Sequence, residues 1–140
     1  MALTDNTTGG RIILQGIGKV RIALSDTVEV GDMLGVSSNT WVRALATTPN
    51  QVHARLVAGQ AGISGEEIDA YPLAVIGGLT GMTIGALVYV AEGTLKGEVT
   101  ATAPSTTGDV NAPVGISLTA TDWFAHPGSM PVYHDADHLA

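Results

Sequence analysis

The sequence predicts a mainly β protein, and three observations carry that prediction. Eighteen glycines and six prolines in 140 residues interrupt the chain too often for long helices. Apolar residues make up 45% of it, yet aromatics are only 4%, so the core is built from small aliphatic and β-branched side chains. The apolar residues fall in short runs with alternation, the period of a half-buried strand. The expected architecture is a compact β-barrel or β-tulip-like module with short strands, many turns and at most one or two short helices.

Residues 1–10, "MALTDNTTGG", are polar and end in glycine, and read as a flexible arm. They lack the basic and apolar regions of a signal peptide. Residues 11–133 read as one β domain, divisible into sub-modules of about 11–69 and 70–133, with 134–140 as a tail. "RIILQ" and "KVRIAL" are two strands separated by Gly16-Ile17-Gly18. In the second, Val20, Ile22 and Leu24 share one face while Lys19, Arg21 and Ala23 share the other. "TVEVGDMLGVS" has turn positions at Gly31-Asp32 and Gly35, and "WVRALA" is a further alternating run. Residues 51–69 fit a short helix or a strand, followed by an acidic loop or one helical turn in "SGEEID", where Ser64 is the candidate cap.

Ala70 to Ala91 carries no charge over 22 residues, long enough for a membrane span. Pro72, Gly77, Gly78, Gly81 and Gly85 break it, and neither end has a flanking Lys or Arg. It reads as two buried strands, "YPLAVI" and "ALVYVA", around a glycine-rich loop, so no membrane partner is expected. Beyond it, Pro104, Pro113, Pro127 and Pro131 mark further short strands and turns. "VEVGDMLGV" (Val28 to Val36) is echoed by "MTIGALVYV" (Met82 to Val90), with Gly31 over Gly85. Two β-modules of about 55 residues would produce that echo; so would the low complexity of Gly/Val/Thr-rich chains.

Charge and composition exclude several functions. The net charge is −7, and Lys96 is the only base after Arg55, so no nucleic-acid partner is expected. The absence of cysteine removes disulfides, thiolate metal sites and a Cys nucleophile. "GIGKV" fails as a phosphate loop because Ile13 and Val20 stand where Gly and Ser or Thr are needed. Ser64 fails as a nucleophile elbow because Glu66 replaces the second glycine. Glu66, Glu67 and Asp69 read as a solvated run rather than an acid–base pair. His134 and His138, four apart in "HDADH" with Asp135 and Asp137 between, are the metal-ligand candidates if the tail is helical. The competing reading is a fraying acidic tail, and no metal, cofactor or enzymatic activity is expected. His53 and His126 are isolated. Trp123 and Phe124 are the only adjacent aromatics, and they read either as a contact patch or as one core anchor and one turn plug. Trp41 reads as core or subunit interface.

The second half also carries a resemblance. Its "GGLTGMTIGALVYV" turn and strand, the later "PVGISL" strand and the closing "HPG" are similar to a pattern in tailed-bacteriophage virion proteins. "VRIALSDTVEVGDMLGVS", with its Gly-Asp-x-Leu turn, resembles capsid decoration (cement, head-stabilising) proteins of the β-tulip or related β-barrel type. The resemblance spans Lys19 to Gly128. It implies a homotrimer on the outer surface of an icosahedral capsid, contacting the major capsid protein and stabilising the shell. It also implies an N-terminal arm that adds to a sheet. By position and chemistry, the capsid or subunit contact candidates are Leu3, Thr4, Arg11, Ile12, Ile13, Trp41, Trp123 and Phe124. The alternative is a head-fibre or tail-appendage module binding a host glycan or protein, for which Trp41, Trp123 and Tyr133 would face solvent. The third reading is a metal-dependent hydrolase using His134 and His138.

Overall fold

A computed structural model describes Thr4–Asp5 and residues 10–128. In chain order the strands are β1 (Thr4–Asp5), β2 (Ile12–Ile17), β3 (Val20–Ala23), β4 (Met33–Ser37), β5 (Thr40–Arg43), β6 (Leu56–Ala58) and β7 (Glu67–Tyr71). There follow β8 (Leu73–Gly77), β9 (Leu79–Thr80), β10 (Leu87–Val90), β11 (Val99–Thr100), β12 (Pro113–Ser117) and β13 (Trp123–Ala125). The fold is all-β, a compact β-rich module as the composition predicts, and no helix occurs among the described residues. Residues 51–69 form no helix: they supply β6 and the start of β7, joined through a turn at Ile63–Glu66. Ser64 does not cap that turn. The Glu66 carboxylate instead accepts the Ile63 N–H at 2.9 Å. The uncharged stretch from Ala70 to Ala91 is likewise no helix; it holds the end of β7, then β8, β9 and β10.

Two antiparallel sheets carry the structure. The five-stranded sheet runs β3-β7-β6-β4-β5, and the six-stranded sheet runs β11-β10-β12-β13-β8-β2. Read from the other end, the second contains β8-β13-β12-β10-β11, the same order as the first, with β2 added at its edge. The register repeats too. Ala58 stands opposite Ala70, and 56 positions on, the His126 N–H donates to the Val114 carbonyl. The sequence echo falls at equivalent places. Glu29–Asp32 and Thr83–Ala86 are turns closed by N–H···O bonds of 3.1 and 3.0 Å, and each leads into a central strand. Gly31 and Gly85 hold φ of +85° and +82° there, which a type II turn requires at its third residue. Similar closures recur at residues 63–66, 95–98 and 106–109.

The five-stranded sheet curls until its outer strands meet. Leu24 bridges Trp41, and the Ser25 N–H donates to the Trp41 carbonyl at 3.0 Å. Ile22, Leu24, Val28, Leu34, Ala58, Ile68 and Ala70 fill the interior of that curl, with Trp41 packed against them. Thus Ile22 and Leu24 point inward as the alternation of "KVRIAL" predicts, whereas Val20 at the strand start is exposed. The larger core lies between the sheets and draws Met33 and Val57 from one, and Ile76, Val88, Val114 and Trp123 from the other. Small residues let the layers approach: a Cβ on Gly16 of β2 would run into the ring of Tyr71 on β7. Burial of these side chains, each worth roughly 1.5–3 kcal/mol for a fully buried Val, Leu or Ile, supplies the main driving force.

Candidate interaction surface

The two sheets differ sharply in charge. Arg21, Arg43, Glu67 and Asp69 lie on strands of the curled sheet. None of the six strands of the other sheet contains a charged residue: they read "IILQGI", "LAVIG", "LVYV", "VT", "PVGIS" and "WFA". Strands apolar on both alternating faces are expected where both faces are covered. Here the inner row, Ser117, Trp123 and Ile76, is buried. The outward row runs Leu87, Ile116, Phe124 and Val75 as successive cross-strand partners, and it is not. Leu87 is 47% exposed and Ile116 37%, while Phe124 and Val75 are half-buried. Leu118, two residues beyond Ile116, is also exposed.

Strand β2 extends this face and ends it. A bulge between Ile13 and Gln15 leaves Leu14 over Gly77, where a Cβ would meet Asp122 Oδ1 at 2.9 Å and Leu14 Cδ1 at 3.0 Å, so one carboxylate stands on this otherwise apolar face. Ile12, Leu14 and Ile17 are about half exposed. Among the described residues, nothing pairs with the far edge of β2. The edge carries no Lys or Pro, and the bulge is the one guard in the strand against pairing with another chain. Five strand spacings of about 4.8 Å and strands up to six residues long outline a face of roughly 400 Å² in projection, the size of patch that marks an interaction site.

One buried ion pair holds β2 in place. Arg11 Nη2 lies 2.6 Å from Asp32 Oδ1, and each side chain is 4% exposed. Asp32 Oδ2 accepts the Glu29 N–H at 2.9 Å, so the carboxylate both closes the turn before β4 and clamps the start of β2 to the other sheet. Burial pushes the Asp32 carboxyl above its ordinary range, against the opposing pull of Arg11 and the Glu29 N–H. Nearby, Arg43 grips Asp26 through Nε at 3.0 Å and Nη2 at 3.2 Å. Burial acts to raise Asp26, but the bonds and charge of Arg43 outweigh it and hold that carboxyl low. A groove of about 700 Å³ runs past this pair, lined by Ser25, Ser37, Ser38, Thr40 and Asn50 together with Val42, Leu45 and Val52. Elsewhere, a hydrogen bond with Asp109 raises Glu92, assisted by burial and repulsion.

The sequence-named candidates scatter. Ile12 and Phe124 lie on the apolar face, while Ile13 turns inward and packs on the main core. Thr4 pairs with Thr80 in the two-stranded β1–β9 ladder, so this part of the arm adds a strand to its own chain. Arg11 and Trp123 are corrected as contact candidates: Arg11 is spent on Asp32, and Trp123 is 1% exposed. Trp41 is half-buried at the seam of the curled sheet. Leu3, Tyr133, His134 and His138 lie outside the described residues, among which no group of three His, Asp or Glu could hold a metal ion. Glu67 and Asp69 pair with Arg21 at 3.7 and 3.0 Å on the surface. Burial, and secondarily Arg55, keep His53 below the usual imidazole range.

Leu87, Ile116, Leu118, Leu14 and Ile17 were not singled out by sequence reasoning. The signal was present: "LVYV" is apolar at both parities, "GISL" sets Ile116 and Leu118 on one, and "IILQGI" has no charge at all. No family model, curated protein or solved structure matches the chain.

Proposed function

We propose that this chain is a structural protein of a virion, a decoration or cement protein that binds the outside of an assembled icosahedral capsid and stabilises it. In this reading it acts as a homotrimer in contact with the major capsid protein. The observation that carries the reading is the broad, largely apolar sheet face and the β2 edge on a turn-locked β scaffold. Such a surface suits adhesion by area rather than chemistry, and standard interfaces bury about 800 Å² per partner. A protein that binds only the assembled shell stabilises it by mass action, and many copies multiply the effect. The test compares particles with and without the protein under heating and osmotic shock. Bare particles should burst at lower temperature; equal stability would rule cementing out.

A second reading, a head-fibre or tail-appendage module binding a host glycan, is favoured by the hydroxyl-rich groove beside Asp26 and Arg43. Among the described residues the aromatic platform expected of it is missing, since Trp123 is buried and Trp41 closes a seam. A glycan array probed with the purified protein separates the two: selective binding abolished by Asp26→Ala would favour the appendage.

A further inference from the structure

We infer that the groove beside the Asp26–Arg43 pair binds an acidic saccharide, with Lys96 holding its carboxylate and a hydroxyl rim holding its sugar hydroxyls. The inference rests on the second reading above, a module that binds a host glycan, and names the chemistry of that glycan and the residue that selects it.

The groove is built before any ligand arrives. Its volume of about 700 Å³ falls within the ~300–1,000 Å³ of ligand sites. Leu45 and Val52 form an apolar floor and exchange backbone hydrogen bonds of 3.1 and 2.8 Å. The tip of the β4–β5 hairpin is fixed by the Thr40 hydroxyl, which donates to the Ser37 carbonyl at 2.7 Å. Asp26 and Arg43 hold each other at 3.0 Å. A site held this way costs little further ordering when a ligand enters.

The free groups select the ligand. Among the described residues, the exposed hydroxyls of Ser25, Ser37, Ser38 and Thr94 are committed to no hydrogen bond. Each can donate and accept, as a sugar hydroxyl does, and the apolar floor suits the C–H face of a sugar ring. The charges of Asp26 and Arg43 cancel, which leaves Lys96 to set the sign of the groove. Lys96 is exposed and has no ion-pair partner among the described residues. One isolated carboxylate answers it, whereas a dense polyanion is repelled by a chain of net charge −7. An extended peptide would dock by joining a free strand edge, and the groove offers none. β4 lies between β5 and β6, and the far edge of β5 is taken where Ser25 N–H meets the Trp41 carbonyl and Arg43 N–H meets Asp26.

The experiment titrates the purified full chain with matched saccharides that differ only in a carboxylate, chosen from a glycan array. The carboxylated member should bind at least about tenfold more tightly than its neutral counterpart, the size of one charge-assisted hydrogen bond. Lys96→Gln should erase that preference while leaving neutral binding unchanged. Ser37→Ala should weaken both ligands, and Lys19→Gln, an exposed lysine on the curled sheet side, should weaken neither. Melting temperatures should stay at the wild-type value, because these side chains are exposed. Equal binding of the two saccharides, a preference that survives Lys96→Gln, or an acidic peptide bound as tightly would each overturn the inference. If Asp26→Ala still abolishes binding of neutral glycans in those cases, the second reading stands without it. No saccharide bound at all would refute both.

Discussion

Replacing Arg11 by Met isolates the clamp between the sheets. The substitution keeps the length of the side chain and removes the charge that faces Asp32 at 2.6 Å. Both partners are almost fully buried, and the remaining Glu29 N–H satisfies only one carboxylate oxygen. Glu29 lies 3.4 Å from Arg11 but is 76% exposed, so its share is small. Stranding one member of a buried pair costs about 3–5 kcal/mol. With a urea slope of about 1–3 kcal/mol/M, the denaturation midpoint should fall by roughly 1–5 M. Asp32→Asn in the same background removes the stranded charge. The double variant should therefore be less destabilised than the sum of the singles, with a coupling of about 1–3 kcal/mol. The pH dependence follows from the raised carboxyl of Asp32. Protonation favours the folded state, so this contribution is greatest below the ordinary value of 3.8 and is lost as pH rises through the folded value. Without Arg11 that folded value rises further, so the deficit of Arg11→Met should be largest at neutral pH and shrink on acidification. A loss below about 1 kcal/mol, strict additivity, or a deficit that grows in acid would refute the clamp.

Three further outcomes are expected. Glu92 is raised by its hydrogen bond with Asp109, so it disfavours folding increasingly as pH climbs from 4.5 through its folded value. Glu92→Gln should flatten that slope in urea midpoints measured across the same range, and an unchanged slope would show that the pair does not govern it. Gly115→Ala should cost about 1–3 kcal/mol or more, because its Cβ would run into the Phe124 carbonyl oxygen and press on the Trp123 ring at 2.6 Å, and near-ultraviolet circular dichroism should register the shift. Acrylamide should quench Trp41 and spare Trp123, a contrast read by single Trp→Phe replacements. Equal quenching of both would contradict the burial pattern.

Much of the fold is legible locally because turns and alternation are local physics. The glycine at the third position of Glu29–Asp32 and of Thr83–Ala86 announces a turn, and the apolar runs after them become β4 and β10. The breaks within Ala70 to Ala91 forecast strands in place of a span. The echo between the halves proved to mark equivalent central strands, although its glycines and valines alone could not exclude simple composition bias. The helical turn expected around Ser64 failed because Glu67 and Ile68 are drawn into β7 by pairing with β3, a partner more than 40 residues away.

The candidate surface was less legible. Arg11 and Ile12 are neighbours in sequence, yet one is spent on Asp32 while the other faces outward, and only the packed sheets decide between them. Trp123 and Phe124 diverge for the same reason, since adjacent strand residues point to opposite faces and pairing sets which face is the core. The sequence alone determined an all-β chain with an acidic charge, no cysteine chemistry and a second half whose apolar runs are uncharged. Tertiary structure decided that the strands of this half form one sheet with β2 at its edge, buried on one side and open on the other. That decision depends on pairings between distant strands, which are cooperative properties of the whole chain and are written in no single segment.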